Sequence, residues 1–254
     1  MDIFLDFDYN LLLLVLAGFV AGFVNTIAGG GTLLTLPFLI FLGLPPAVAN
    51  GTNRIAIFLQ TFTGAVGFRS KGISTFPFSI YCGFSALIGS IIGAKIAIDI
   101  KGDTFNRVLA IVMIAVVILI ILKPKASLQQ LKERTTGKYL WISIIVFFFL
   151  GIYGGFINAG IGFLMLIFLP YVNRMSLVKA NATKVTIIFI YTIGALIVFY
   201  LSNKINWKYA LILSLGNITG AWISSRWSVK KGDKMVRLFL IVMVTLMAIK
   251  LWFF

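Results

Sequence analysis

Apolar residues fall in runs near 10–43, 47–68, 76–98, 104–122, 139–171, 180–201, 208–225 and 235–254, with most of the charge in the short stretches between them. Most of these runs reach the roughly 20 residues that an α-helix needs to cross the hydrocarbon core of a bilayer. The period-2 alternation of a barrel strand is absent, and in lipid only helices and closed barrels satisfy the backbone. The pattern predicts an all-α polytopic membrane protein of about eight hydrophobic segments.

Two of the runs are too long for one ordinary span and carry polar interruptions. The first contains NTIAGGGTLLTLP (25–37), with an asparagine and three consecutive glycines between greasy flanks. Each glycine costs a helix interior about 1 kcal/mol relative to alanine, so the helix is expected to break there. The second contains NAGIG (158–162) at the corresponding place. GFVAGFVNTIAGGGTLLTLP (18–37) lies over GIYGGFINAGIGFLMLIFLP (151–170), which pairs Asn25 with Asn158, Gly29 with Gly162 and Pro37 with Pro170.

Three further blocks match in the same order. ANGT (49–52) pairs with ANAT (180–183), GSIIGA (89–94) with GNITGA (216–221), and KGDTFNRVLAIVMI (101–114) with KGDKMVRLFLIVMV (231–244). The chain therefore reads as repeat 1 (1–122, segments 1–4), a basic linker (123–138) and repeat 2 (139–254, segments 5–8). Internal duplication of a membrane bundle is a transporter signature, with the solute expected where broken helices meet between the repeats. The small-xxx-small pairs Gly89/Gly93 and Gly216/Gly220 are expected to let helices pack closely and to do nothing else.

Each interrupted segment is either a tilted single span or a hairpin. If both are hairpins and the acidic N-terminus is outside, Arg69, Lys71, the 123–138 linker, Arg174, Lys179 and the basic cluster from Arg226 to Arg237 all fall inside. Single crossings would put the linker outside, against the positive-inside rule. The hairpin reading makes the halves inverted relative to each other.

Lys and Arg number 22 against 7 Asp and Glu, a net charge of +15. Because the basic residues are scattered through short loops, they are read as contacts to anionic lipid head groups, not nucleic acid. There is no histidine and one cysteine, Cys82, which excludes histidine-based catalysis, histidine metal sites and an intrachain disulfide. The first run lacks a basic n-region and is read as a retained span. No HExxH, GxSxG or CxxC occurs, nor a GxxxxGK[ST] for nucleotide; no enzyme activity, cofactor or metal is expected.

Polar residues inside spans are functional candidates by default. All seven carboxylates lie at span ends or in loops, whereas Arg54 follows ANGTN and Lys184 follows ANAT. Asn, Thr and a cation beside a broken helix suit an anion, because helix N-termini and glycine-rich backbone present unobstructed N–H donors. The candidate substrate-binding residues are Asn25, Gly29, Gly30, Gly31, Asn50, Thr52, Asn53 and Arg54 in the first half. Asn158, Gly160, Gly162, Asn181, Thr183 and Lys184 complete the set. Gln60 and Tyr191 are assigned to core hydrogen bonding.

The paired N-xxx-G segments, the ANxT elements and the duplicated four-segment plan resemble the sulfite exporter TauE/SafE family over essentially the whole chain. The resemblance implies transport of a small anion such as sulfite or an organosulfonate across the cytoplasmic membrane. The expectation is a multi-pass secondary transporter acting by alternating access, with a small anion, the bilayer and a coupling ion (H+ or Na+) as partners. An amino-acid or zwitterion exporter, and a membrane assembly factor without flux, are the alternatives. Gly160–Ile161–Gly162 against Ala-Gly-Gly-Gly, and Lys184 where strict register offers Asn53, mark the halves as unequal.

A cysteine introduced at Ser127 should react with a membrane-impermeant maleimide in inside-out vesicles and not in intact cells. Labelling in intact cells would overturn the inverted arrangement.

Overall fold

Both predicted breaks are present. In the computed structural model, which describes residues 9–121 and 132–253, helix α1 (Tyr9–Ile27) ends at the first glycine cluster and α2 (Thr32–Phe41) begins after it. Helix α6 (Lys138–Phe156) likewise gives way to α7 (Ile161–Val172). The other elements are α3 (Pro46–Arg69), α4 (Phe78–Asp99), α5 (Gly102–Ile121), α8 (Leu177–Leu201) and α9 (Trp207–Phe253). No strand occurs among the described residues. The acidic N-terminus (1–8) and most of the basic linker, including Ser127, lie outside them.

Helices α4, α6 and α8 are each long and apolar enough to cross a membrane. The fold is an all-helical polytopic membrane architecture. One expectation fails: runs 208–225 and 235–254 form the single 47-residue helix α9. At 1.5 Å per residue it extends about 70 Å, more than twice the bilayer core. The joining stretch 226–234 holds no proline, and its lone Gly232 costs a helix only about 1 kcal/mol. The equivalent joint in the first half opens at Ile100, whose ψ of 139° is extended.

Segment 139–171 is a hairpin. Ile161 at the start of α7 sits against Gly154 near the end of α6. Further along, the Phe147 and Phe168 rings meet edge-on at 5.7 Å. Asn173, just past α7, donates to the Ser143 hydroxyl at 3.0 Å. The chain thus returns to the level where α6 began, and α8 starts from there. The first break doubles back in the same way, since Gly31 lies against Ala21 and Asn25 of α1.

The long helices pack through glycine. Gly216 faces Val15 and Phe19, and Gly220 faces Phe19 and Phe23, so α1 runs parallel to the first part of α9. Gly89 faces Phe148 and Ile152, and Gly93 faces Ile152 and Phe156, so α4 runs parallel to α6. The expected small-xxx-small packing is met from the other side by Gly18 and Gly22 on α1 and by Gly151 and Gly155 on α6. Because α6 and α8 leave the same level, α9 opposes α6, and α1 therefore opposes α6 as well. The two interrupted segments are inverted.

These pairings interlock the chain. Helices α1 and α3 pack on α9 from the other half, while α6 and α8 pack on α4, and α3 meets α8 between the two groups. The result is two bundles, each borrowing its third long helix.

At Gly155 an added Cβ would overlap the Ser90 backbone of α4, whereas at Gly64 it would sit 3.7 Å from the Thr26 methyl. Gly155→Ala should therefore lower stability by at least about 1–3 kcal/mol, the usual cost of overpacking, and Gly64→Ala by much less. Thermal unfolding of both variants in detergent checks this.

Candidate functional site

A helix that stops inside a bilayer leaves its last carbonyls without partners, and water is not there to supply them. Here α1 and α6 both stop inside the protein. The end of α6 is held by α3: Arg54 donates from Nη1 to the Gly154 carbonyl at 2.5 Å and from Nη2 to the Gly155 carbonyl at 2.8 Å. Asn50 adds a bond from Nδ2 to the Phe156 carbonyl at 2.6 Å, and its Oδ1 accepts from Arg54 at 3.2 Å.

The end of α1 is held by α8 in the same manner. Lys184 Nζ donates to the Asn25 and Thr26 carbonyls at 3.0 Å each and to Asn181 Oδ1 at 2.7 Å. Both cations have no exposed surface. Arg54 stands four residues after Asn50 and Lys184 three after Asn181. Both spacings lie on one helix face, so the one-residue slip in the repeat changes nothing in the arrangement. A cation at a helix C-terminus also meets the negative end of the helix dipole.

The two breaks touch. Gly29, at φ +90°, lies backbone to backbone against Gly162 in the first turn of α7, and neither position has room for a Cβ. Gly162 was expected in the break; the second break is instead made by Asn158 (φ 63°) and Gly160 (φ 71°), both left-handed. Asn158 Nδ2 donates to Thr32 Oγ1 at 3.2 Å, tying one break to the other, and its Oδ1 accepts from the Tyr191 hydroxyl. Asn25 donates to Gln60 Oε1 at 3.0 Å. No side chain caps the N-terminus of α2 or α7.

A model of the sulfite exporter TauE/SafE family matches residues 14–251. The chain belongs to that family. Its relatives include a probable membrane transporter protein of Haemophilus influenzae, 29% identical over 99% of this chain and 96% of that one. The probable membrane transporter protein ORF9 of a Sinorhizobium species is 28% identical over 97% and 94%. The probable membrane transporter protein YfcA of Escherichia coli K12 is 28% identical over 91% and 85%. No solved structure matches the chain. The protein is a membrane transporter whose partners are a small-molecule substrate and the lipid bilayer.

The remaining candidates divide. Thr52 Oγ1 accepts from the Asn206 amide at 2.9 Å, and Thr183 bonds Met175 Sδ at 3.6 Å, so both brace loops. The carbonyls of Gly30 and Gly31 start α2 by accepting from Leu33 and Leu34, each at 3.0 Å. Asn53 is buried, with both amide atoms unpartnered among the described residues. Also unpartnered are Arg54 Nε, Gln60 Nε2 and Asn181 Nδ2. Four of these five atoms are donors.

Gln60 and Tyr191 do serve core hydrogen bonding, and the structure adds that their partners are the two break asparagines. Gln60 and Tyr191 are offset by 131, the offset that pairs ANGT with ANAT, and each holds one break asparagine. Removing the Tyr191 hydroxyl leaves Asn158 Oδ1 buried without its donor, which costs about 1–3 kcal/mol. Tyr191→Phe should show that loss in thermal unfolding. Asn158→Ala in the Tyr191→Phe background should add less than it does alone.

Proposed function

We propose that the protein is a secondary transporter that moves a small anion, such as sulfite or an organosulfonate, across the cytoplasmic membrane by alternating access. The observation that carries this reading is the pair of fully buried cations at the junction of two bundles, in a protein whose described residues bury no Asp or Glu. Charge in lipid is expensive and marks solute paths. The surplus of unpartnered donors around those cations adds to an environment suited to oxyanions.

Each cation belongs to one bundle and grips the other. Arg54 on α3 holds α6, and Lys184 on α8 holds α1. Rocking of the bundles strains these grips, and an anion can take the place of the carbonyls it displaces. No catalysis is involved in this cycle. A zwitterion would bring an ammonium group that meets two cations and no buried carboxylate among the described residues, which disfavours that alternative.

In proteoliposomes, Arg54→Gln and Lys184→Gln should each lower labelled sulfite flux about 10–100-fold, since a charge-assisted hydrogen bond is worth about 1.5–3 kcal/mol. Lys71→Gln and Lys208→Gln, at exposed loop and helix-end positions, should leave flux unchanged. Equal losses at all four positions would mean a general field and no local site. Faster movement of a labelled neutral amino acid than of sulfite would overturn the anion assignment.

A further inference from the structure

The two cations do not share one binding point. Arg54 and Gln60 are six residues apart on α3, and Gln60 bonds Asn25 at the end of α1, where Lys184 is bound. Lys184 and Tyr191 are seven residues apart on α8, and Tyr191 bonds Asn158 beside the end of α6, where Arg54 is bound. Along each helix the residues that grip the two ends stand about 10 Å apart at 1.5 Å rise per residue. Contacts to an oxyanion form at about 2.7–2.9 Å, so a small anion touching one cation is out of reach of the other. The Gly29–Gly162 backbone contact lies between the breaks and admits no side chain, let alone a solute, while it holds.

We infer that the protein carries two separate anion half-sites, occupied in turn, with the glycine contact as the partition between them. This rests on the anion reading above. The first half-site is Arg54 with Asn53, and the second is Lys184 with Asn181 and Gln60. Asn53 is the recognition residue of the first: it is buried, pairs with nothing among the described residues, and precedes in sequence an arginine whose Nε–H is also unpartnered. At the second, Asn181 has its Oδ1 taken by Lys184, which leaves its buried, unpartnered Nδ2–H2 as a donor. Gln60 is placed likewise, with Oε1 bonded to Asn25 and Nε2 unpartnered.

The ligand class each half-site fits is a compact oxyanion with its charge on a single acid centre, with sulfite as the probe. A dianion with its charges spread along a chain of several carbons would have to cross the partition to use both cations. The half-sites are chemically unequal, which gives each a distinct mutational signature.

The test is equilibrium binding of radiolabelled sulfite to the full-length protein in lipid nanodiscs, alongside flux. Arg54→Gln and Lys184→Gln should each abolish most flux yet keep saturable binding at the remaining half-site. The double variant should lose binding. Loss of binding in either folded single variant, or full binding in the double, overturns the two half-sites in favour of one shared or remote site.

Should Arg54→Gln or Lys184→Gln not fold, Asn53→Ala and Asn181→Ala serve, because the cations keep their grip on α6 and α1. Each alone should leave one saturable class intact and weaken the other about tenfold, the worth of one such bond. A uniform shift of all binding, or none, overturns the proposal. A wild-type protein that binds neither sulfite nor sulfate nor a two-carbon organosulfonate overturns the anion reading itself, a distinct result.

Discussion

Everything in this fold depends on how two helices are allowed to end inside a membrane. The C-terminal carbonyls of α1 and α6 have no water to bond, and leaving them bare would cost several kcal/mol each in hydrocarbon. A cation is the strongest donor available. It is tolerable in lipid only where such carbonyls surround it. Neither the broken helices nor the buried cations are stable alone, and each makes the other affordable.

The interlocking of the halves follows from the same requirement. Were Arg54 to cap the broken helix of its own half, the capping bonds would lie within one bundle and would not help tie the two together. Instead α3 caps α6 and α8 caps α1. The capping bonds are thus also contacts between bundles, beside the packing of α3 on α8. Glycine makes the rest of the exchange possible: without side chains at Gly18, Gly22, Gly151 and Gly155, the broken helices approach the borrowed third helices to backbone contact. Dispersion and close packing replace the hydrophobic effect between helices in lipid.

Much of this was legible in the sequence because it is written in residue types that are costly elsewhere. A triple glycine in a greasy run, an asparagine at the same place in both halves, and a cation three or four residues after each ANxT asparagine are costly in a membrane and so mark a broken helix and what holds it. The duplication supplied the inverted pairing once loop charges had chosen hairpins. What could not be read was which half serves which. Residue spacing places Arg54 near a break without saying that the break belongs to α6, because the partner lies 100 residues away and nothing local encodes it. The continuity of α9 was also hidden, since KGD at 101–103 and at 231–233 are alike in sequence while only the first follows an extended residue.

The two ends differ in one respect that chemistry makes consequential. A guanidinium has five N–H donors in a planar fork, and Arg54 spends its two terminal nitrogens on α6 and Asn50 while Nε–H stays unpartnered. It can hold its helix and an anion at once. An ammonium group has three donors, and Lys184 directs three bonds to Asn25, Thr26 and Asn181. To take an anion it must release one of them, and releasing a carbonyl loosens α1 from the opposite bundle. On the proposed anion reading, binding at the arginine end is compatible with a closed junction, whereas binding at the lysine end works against it. A pair of half-sites with that difference couples occupancy to bundle movement at one end only. In the proposed cycle, that asymmetry lets the lysine end sense the movement of the bundles while the arginine end does not.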